Sequence, residues 1–134
     1  MTLRDAILID TSVLVALARK DMRMLPWQVQ RLAQREGVVC ALSWGECASL
    51  VERGLLDRPQ VEVLASAVRT EGVGDADCLA GGRLHGHLRR QGHGKVGLAD
   101  CIIYATARRL GIDLLTLDGD LQDLPGVEVL GKKA

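Results

Sequence analysis

Aromatic residues are almost absent from this 134-residue chain: no Phe, one Tyr and two Trp. A platform that reads single-stranded nucleic acid by base stacking needs such rings, so that class is excluded. Net charge is absent too. Lys and Arg number 17 and Asp and Glu 17, a formal charge of zero, so overall charge draws the chain to no polyanion. Basic pairs at Arg19-Lys20, Arg89-Arg90 and Arg108-Arg109 read as solvated helix surface. No apolar run approaches the ~18 residues of a membrane-spanning helix. The N-terminus lacks the basic region, long apolar stretch and small-residue cleavage site of a signal peptide. Cys40, Cys47, Cys78 and Cys101 form no C-x-x-C pair and sit in apolar settings. They read as small buried hydrophobes in a reducing compartment. The expectation is one soluble cytoplasmic domain over residues 1–134 with no membrane partner.

Short apolar runs alternate with helical patterns. Ile7-Leu8-Ile9 reads as a buried strand. Thr11 and Ser12 are candidate N-caps for the helix that follows. Residues 25–36 have the spacing of an amphipathic helix ended by Gly37. Residues 38–42 read as a second strand, with Ser43 as N-cap of a helix that Gly54 stops. Asp57-Arg58-Pro59 opens another helix, running to about Arg69. Gly72-Val73-Gly74 is a short third strand or a loop. Residues 76–90 are helix-like but weakened by Gly81, Gly82 and Gly86, each costing ~1 kcal/mol relative to Ala inside a helix. Asp75 and Asp77 read as caps of that helix. Residues 98–110 form a strong helix ended by Gly111, residues 113–117 a strand, and residues 127–130 an edge strand. Strands alternating with helices through short loops imply a parallel sheet covered on both faces.

Acids fall where such strands end. Asp10 follows the first strand, Glu46 lies in the helix after the second, and Asp118 follows the strand 114–117. In a parallel sheet these ends share one edge, where ligands bind. Asp100 interrupts an apolar helix, so it must be enclosed or face a pocket. Each has a structural alternative. Ser43-x-x-Glu46 is a capping-box pattern, Asp100 complements a helix dipole, Asp118-Gly119 is a turn signal, and Asp10 caps the first helix. Their joint occurrence favours a site. Four carboxylates on one rim repel, and a divalent cation is the usual relief. Carboxylates without His select Mg²⁺ or Mn²⁺ over zinc. Asp120 is a possible extra acid, although a turn accounts for it as well. Ser12 is a candidate to orient Asp10, and Thr116 to orient Asp118. Tyr104, one helical turn after Asp100, reads as core.

Other motifs carry less. Gly92-His93-Gly94-Lys95-Val96-Gly97 is literally G-x-G-x-x-G, but it follows a helical segment where a dinucleotide site needs a strand. His85, His87 and His93 with Cys78 and Cys101 match no zinc spacing. A phosphoacceptor module needs an adjacent acid pair after the first strand, whereas Asp10 stands alone.

The segments Ile7–Leu14, Ser43–Gly54, Gly97–Ala107 and Leu115–Leu130 resemble the PIN-domain nucleases, most closely the VapC-type toxins of type II toxin–antitoxin systems. The resemblance implies a PIN-like three-layer α/β/α fold with a central parallel sheet of four to five strands. It implies an acidic site at Asp10, Glu46, Asp100 and Asp118 that binds Mg²⁺ or Mn²⁺ and hydrolyses RNA. It further implies a homodimer and a cognate antitoxin that covers the acidic pocket. Cys101 stands where the family commonly has Ala, and Leu121 where it often has an aromatic. Alternatives are a non-toxin PIN nuclease acting in RNA processing or on DNA, and an inactive PIN-like binding module.

Overall fold

The computed structural model describes residues 5–19 and 34–130. Among these, the strands are β1 (Ala6–Ile9), β2 (Glu36–Cys40), β3 (Arg69–Glu71), β4 (Asp113–Thr116) and β5 (Val127–Val129). The helices are α1 (Thr11–Ala18), α2 (Ala41–Glu52), α3 (Arg58–Ala67), α4 (Asp75–Arg90) and α5 (Leu98–Leu110). The strands form one parallel sheet of order β3-β2-β1-β4-β5. This is the expected α/β/α arrangement, with β1 at its centre.

Every residue of β1 is buried, yet the strand still alternates. Ala6 and Leu8 face one apolar layer with Val38, Leu114 and the α4 and α5 residues Leu88, Cys101, Ile103 and Ala107. Ile7 and Ile9 face the other, with Val39, Leu115 and the α1 and α2 residues Val13, Leu14 and Cys47. A parallel sheet covered on both sides needs apolar residues at both parities. Truncating Ile7 or Leu8, each fully buried, to Ala removes about 2–5 kcal/mol.

The chain leaves β1 for β2 and β3 on one side, then returns to β4 on the other. The C-terminal ends of β1 and β4 flank the point where strand order reverses, the usual position of a ligand crevice in open α/β sheets.

Several sequence expectations shift. The helix expected over residues 25–36 falls mostly outside the described residues, and Glu36 begins β2. Gly37 lies within that strand, because a Cβ there would meet Ile9 Cδ1 at 2.9 Å and Val68 Cγ1 at 3.1 Å. The third strand is Arg69-Thr70-Glu71, not Gly72–Gly74. It pairs at the sheet edge and needs no apolar pattern. The glycines of α4 do not break it. Gly81 is buried against α5, and a Cβ there would stand 2.6 Å from the Ile102 Cα. Glycine is what allows the two helices to approach. Cys40, Cys47 and Cys101 are buried as expected, whereas Cys78 is exposed on α4. No helix among the described residues is long and apolar enough to cross a membrane.

Candidate metal centre

Asp10 is the residue at which β1 becomes α1. Its extended backbone (φ −68°, ψ 155°) makes it the N-cap, and its side chain makes no cap hydrogen bond. Neither Thr11 nor Ser12 caps α1, as both are already helical. Their hydroxyls work across the fold instead. Ser12 Oγ donates to Asp10 Oδ2 at 2.8 Å, and Thr116 Oγ1 donates to the same oxygen at 2.8 Å. These hydroxyls accept in turn from the backbone N–H groups of Leu117 (3.0 Å, to Ser12) and Asp118 (3.0 Å, to Thr116). A relay therefore runs from the backbone after β4, through two hydroxyls, to the carboxylate after β1. It orients Asp10, which is only 6% exposed. Thr116 thus serves Asp10 and not the Asp118 side chain, because β1 and β4 are hydrogen-bonded neighbours.

Glu46 sits one turn deeper in its helix than the sequence suggested. Cys40 is the N-cap of α2, so Ser43 is the third helical residue and forms no capping box with Glu46. Glu46 Oε1 instead accepts from Thr11 Oγ1 at 2.6 Å. Thr11 Oγ1 also lies 2.9 Å from the buried Ser43 Oγ. Thr11 thus directs its one proton at two acceptors, of which the Glu46 carboxylate is the nearer and the stronger.

Asp100 is the third residue of α5, and its Oδ2 accepts from the Gly97 backbone N–H at 3.3 Å. Burial raises this carboxyl to about 6, and the charges of Asp10, Glu46 and Asp118 push it the same way. The fold therefore brings Asp10, Glu46 and Asp118 within electrostatic reach of Asp100. Asp118 caps the 3₁₀ turn Gly119–Leu121, its Oδ1 accepting from the Asp120 N–H at 3.0 Å. The turn role and a place at the rim coexist in this residue. The Asp120 carboxyl is raised by burial and by Asp118 beside it, while Lys95 and His93 pull it down. Tyr104 is core: it is 8% exposed, and its hydroxyl donates to the Pro125 carbonyl at 2.7 Å.

One oxygen of each of the four acids is held by a named donor. The second has no hydrogen-bond partner among the described residues. No described buried side-chain oxygen or nitrogen lacks a partner, so none of these second oxygens is fully buried. The donor set suits a hard cation, since it is carboxylate oxygen throughout. Cys101, next to Asp100, is fully buried in the core layer under α4 and α5, and burial raises its thiol to about 11. The acids are nevertheless spaced apart. Among the described residues no three His, Cys, Asp or Glu side chains stand close enough to hold a metal ion as they are. Repulsion between like charges opposes closer approach.

The sequence profile of the PIN domain matches residues 7–127, nine-tenths of the chain. The chain belongs to the PIN-domain family. Solved structures share the fold. A VapBC2 complex from Rickettsia felis bound to a promoter DNA fragment is 15% identical with a TM-score of 0.75, covering 93% of this chain and 98% of that one. A toxin–antitoxin complex from Klebsiella pneumoniae is 21% identical, TM-score 0.69, covering 96% and 99%. VapC20 of Mycobacterium tuberculosis, a sarcin–ricin loop cleaving toxin, is 23% identical, TM-score 0.68, covering 92% and 98%. No curated protein matches the sequence.

Two hydroxyls bonded together beside Glu46, those of Thr11 and Ser43, were given other partners by sequence reasoning. Each read as a local cap, and each is instead committed to a partner more than thirty positions away. The one available signal was a surplus of hydroxyls, Thr11 and Ser12 both following Asp10 where one cap would serve.

Proposed function

We propose that this PIN-domain protein is a divalent-cation-dependent endoribonuclease, the toxin of a toxin–antitoxin pair, acting at Asp10, Glu46, Asp100 and Asp118. The observation that carries this reading is the position of Asp100, raised to about 6 among three other carboxylates. A cluster that opposes its own ionisation is suited to a cation. Support also comes from family membership and from the fold shared with VapBC complexes.

Asp10 and Asp100 would be the principal residues holding Mg²⁺ or Mn²⁺, with Glu46 and Asp118 holding a second ion or orienting water. A bound divalent cation neutralises charge on the phosphoryl oxygens and lowers the pKa of water near neutrality. The chain's own part is positioning. Ser12 and Thr116 fix the Asp10 carboxylate, Thr11 fixes Glu46, and the Gly97 N–H fixes one oxygen of Asp100. Free rotation of these carboxylates is thereby limited before substrate arrives. The partners of this reading are RNA, a cognate antitoxin and a second copy of the chain, in the cytoplasm.

The test is cleavage of RNA by purified protein with Mg²⁺ or Mn²⁺, beside Asp10→Asn and Asp100→Asn. The parent should cleave only with the cation, and each variant should be at least ~100-fold slower, the scale of one lost electrostatic contact to the transition state. Variants as active as the parent would remove the assigned site. Undiminished cleavage in EDTA would remove the cation.

A further inference from the structure

The run Gly92–Gly97 joins α4 to α5 and is an ordered turn. His93 N–H donates to the Leu88 carbonyl at 3.0 Å, Gly94 N–H to the Gly92 carbonyl at 3.0 Å, and Gly92 takes φ +92°. Val96 is 3% exposed and belongs to the core layer under α4 and α5, which anchors the loop. The residues before it, His93, Gly94 and Lys95, are exposed. The residue after it, Gly97, is the one whose N–H holds Asp100. The backbone of Lys95 is therefore held between a core anchor and the residue that binds Asp100, two positions away.

The charges of Lys95 and His93 also reach the Asp120 carboxyl, which follows Asp118 by two residues. Lys95 nonetheless makes no ion pair within 4.0 Å with a described residue. By contrast, Arg109 is fully engaged by Asp77, Glu71 and the Gly72 carbonyl. Among the described residues no cationic side chain acts on Asp100 itself. A polyanionic strand approaching four carboxylates is repelled, and its docking needs cations beside them that internal pairs have not neutralised.

We propose that Lys95, assisted by His93, binds a backbone phosphate of the RNA next to the one cleaved, so that the α4–α5 loop positions the strand over the four acids. The inference rests on the RNA-hydrolase reading. Lys95 supplies a point charge with three donors on a flexible stem, and His93 supplies a ring N–H. Gly92 and Gly94, on either side of His93, add no side chain that would obstruct the phosphate.

The experiment measures fluorescence anisotropy of a labelled single-stranded RNA oligonucleotide. Its parent is the Asp100→Asn protein, which should not cut the strand, and Lys95→Ala, Lys95→Arg and His93→Ala are added to it. Lys95→Ala should weaken binding about 5-fold and reduce the slope of log K against log[NaCl] by ~0.7, the value for one single-strand phosphate. Lys95→Arg should restore most of the affinity, and His93→Ala should weaken binding about 2-fold. In the otherwise unsubstituted protein, Lys95→Ala should raise KM and leave kcat nearly unchanged. Affinity and salt slope unaltered by Lys95→Ala, in a parent that binds RNA, would overturn the inference alone. A parent that binds no RNA would overturn the RNA-hydrolase reading and the inference with it.

Discussion

Two helices of this domain start in nearly the same way. Gly74-Asp75-Ala76-Asp77 opens α4 and Gly97-Leu98-Ala99-Asp100 opens α5. In both, the aspartate is the third helical residue and accepts from the backbone N–H of the glycine N-cap, at 3.1 Å and 3.3 Å. The local chemistry is the same, and the electrostatic outcome is opposite. Asp77 is 2% exposed and takes both oxygens to Arg109 Nε, at 2.8 and 3.1 Å. That hydrogen bond, first among the causes, holds its carboxyl below the usual range. Asp100 meets no cation among the described residues, feels the charges of three carboxylates, and is raised to about 6. A helix start fixes where an aspartate points. The chain opposite decides whether it is paired with a cation or left among other carboxylates.

The sharpest way to break this comparison is to make the same isosteric change at both positions. Asp100→Asn should lower RNA cleavage at least ~100-fold. Asp77→Asn, assayed where circular dichroism shows it folded, should stay within about 3-fold of the parent. Equal losses would erase the distinction.

A smaller effect tests what holds the two starts together. Gly81→Ala drives a Cβ into the α5 backbone at Ile102 and should cost about 3 kcal/mol in urea denaturation. A neutral result would mean that the helices separate easily.

Next comes the clip itself. Asp77→Asn should cost about 2 kcal/mol, the scale of a lost hydrogen bond to a charged group. Arg109→Ala should destabilise in the same direction, because it leaves the buried carboxylate without its cation.

The smallest effect, and the one that reads both aspartates at once, is the pH dependence of stability in EDTA. Asp100 has a folded value near 6 against 3.8 unfolded. The folded state therefore holds the extra proton between those values, and stability falls as pH rises from about 4 to about 6. Asp77 is depressed, so its contribution is present above its unfolded value and is lost as pH falls through the lower folded one. Asp100→Asn should remove the decline between pH 4 and 6, and Asp77→Asn should remove the loss at lower pH. Equilibrium unfolding over pH 2–8 checks both.

The order of elements was legible because both faces of the sheet are covered. Ile7-Leu8-Ile9 and the apolar helix around Asp100 stood out for that reason, and they put Asp10 and Asp100 where the fold has them. Ser12 orients Asp10 as the sequence reading allowed, but two other hydroxyls were misread. Thr11 and Ser43 carry good local capping chemistry, and local chemistry is all a single sequence displays. Their partners, Glu46 and Thr11, lie far along the chain. The edge strand Arg69–Glu71 escaped notice because polar residues at an edge leave no periodic signature. Asp77 and Asp100 show the same limit. Each reads as a helix-start acid, and only the opposing Arg109 or the opposing carboxylates separate them.

The measurement closest to the central claim is Mn²⁺ binding by the apo-protein, followed by calorimetry, with Asp77→Asn and Asp100→Asn in parallel. The account expects the unsubstituted protein and Asp77→Asn to bind Mn²⁺ with similar affinity and Asp100→Asn at least ten-fold more weakly. Binding that is absent from the unsubstituted protein, or equal in all three, would contradict it.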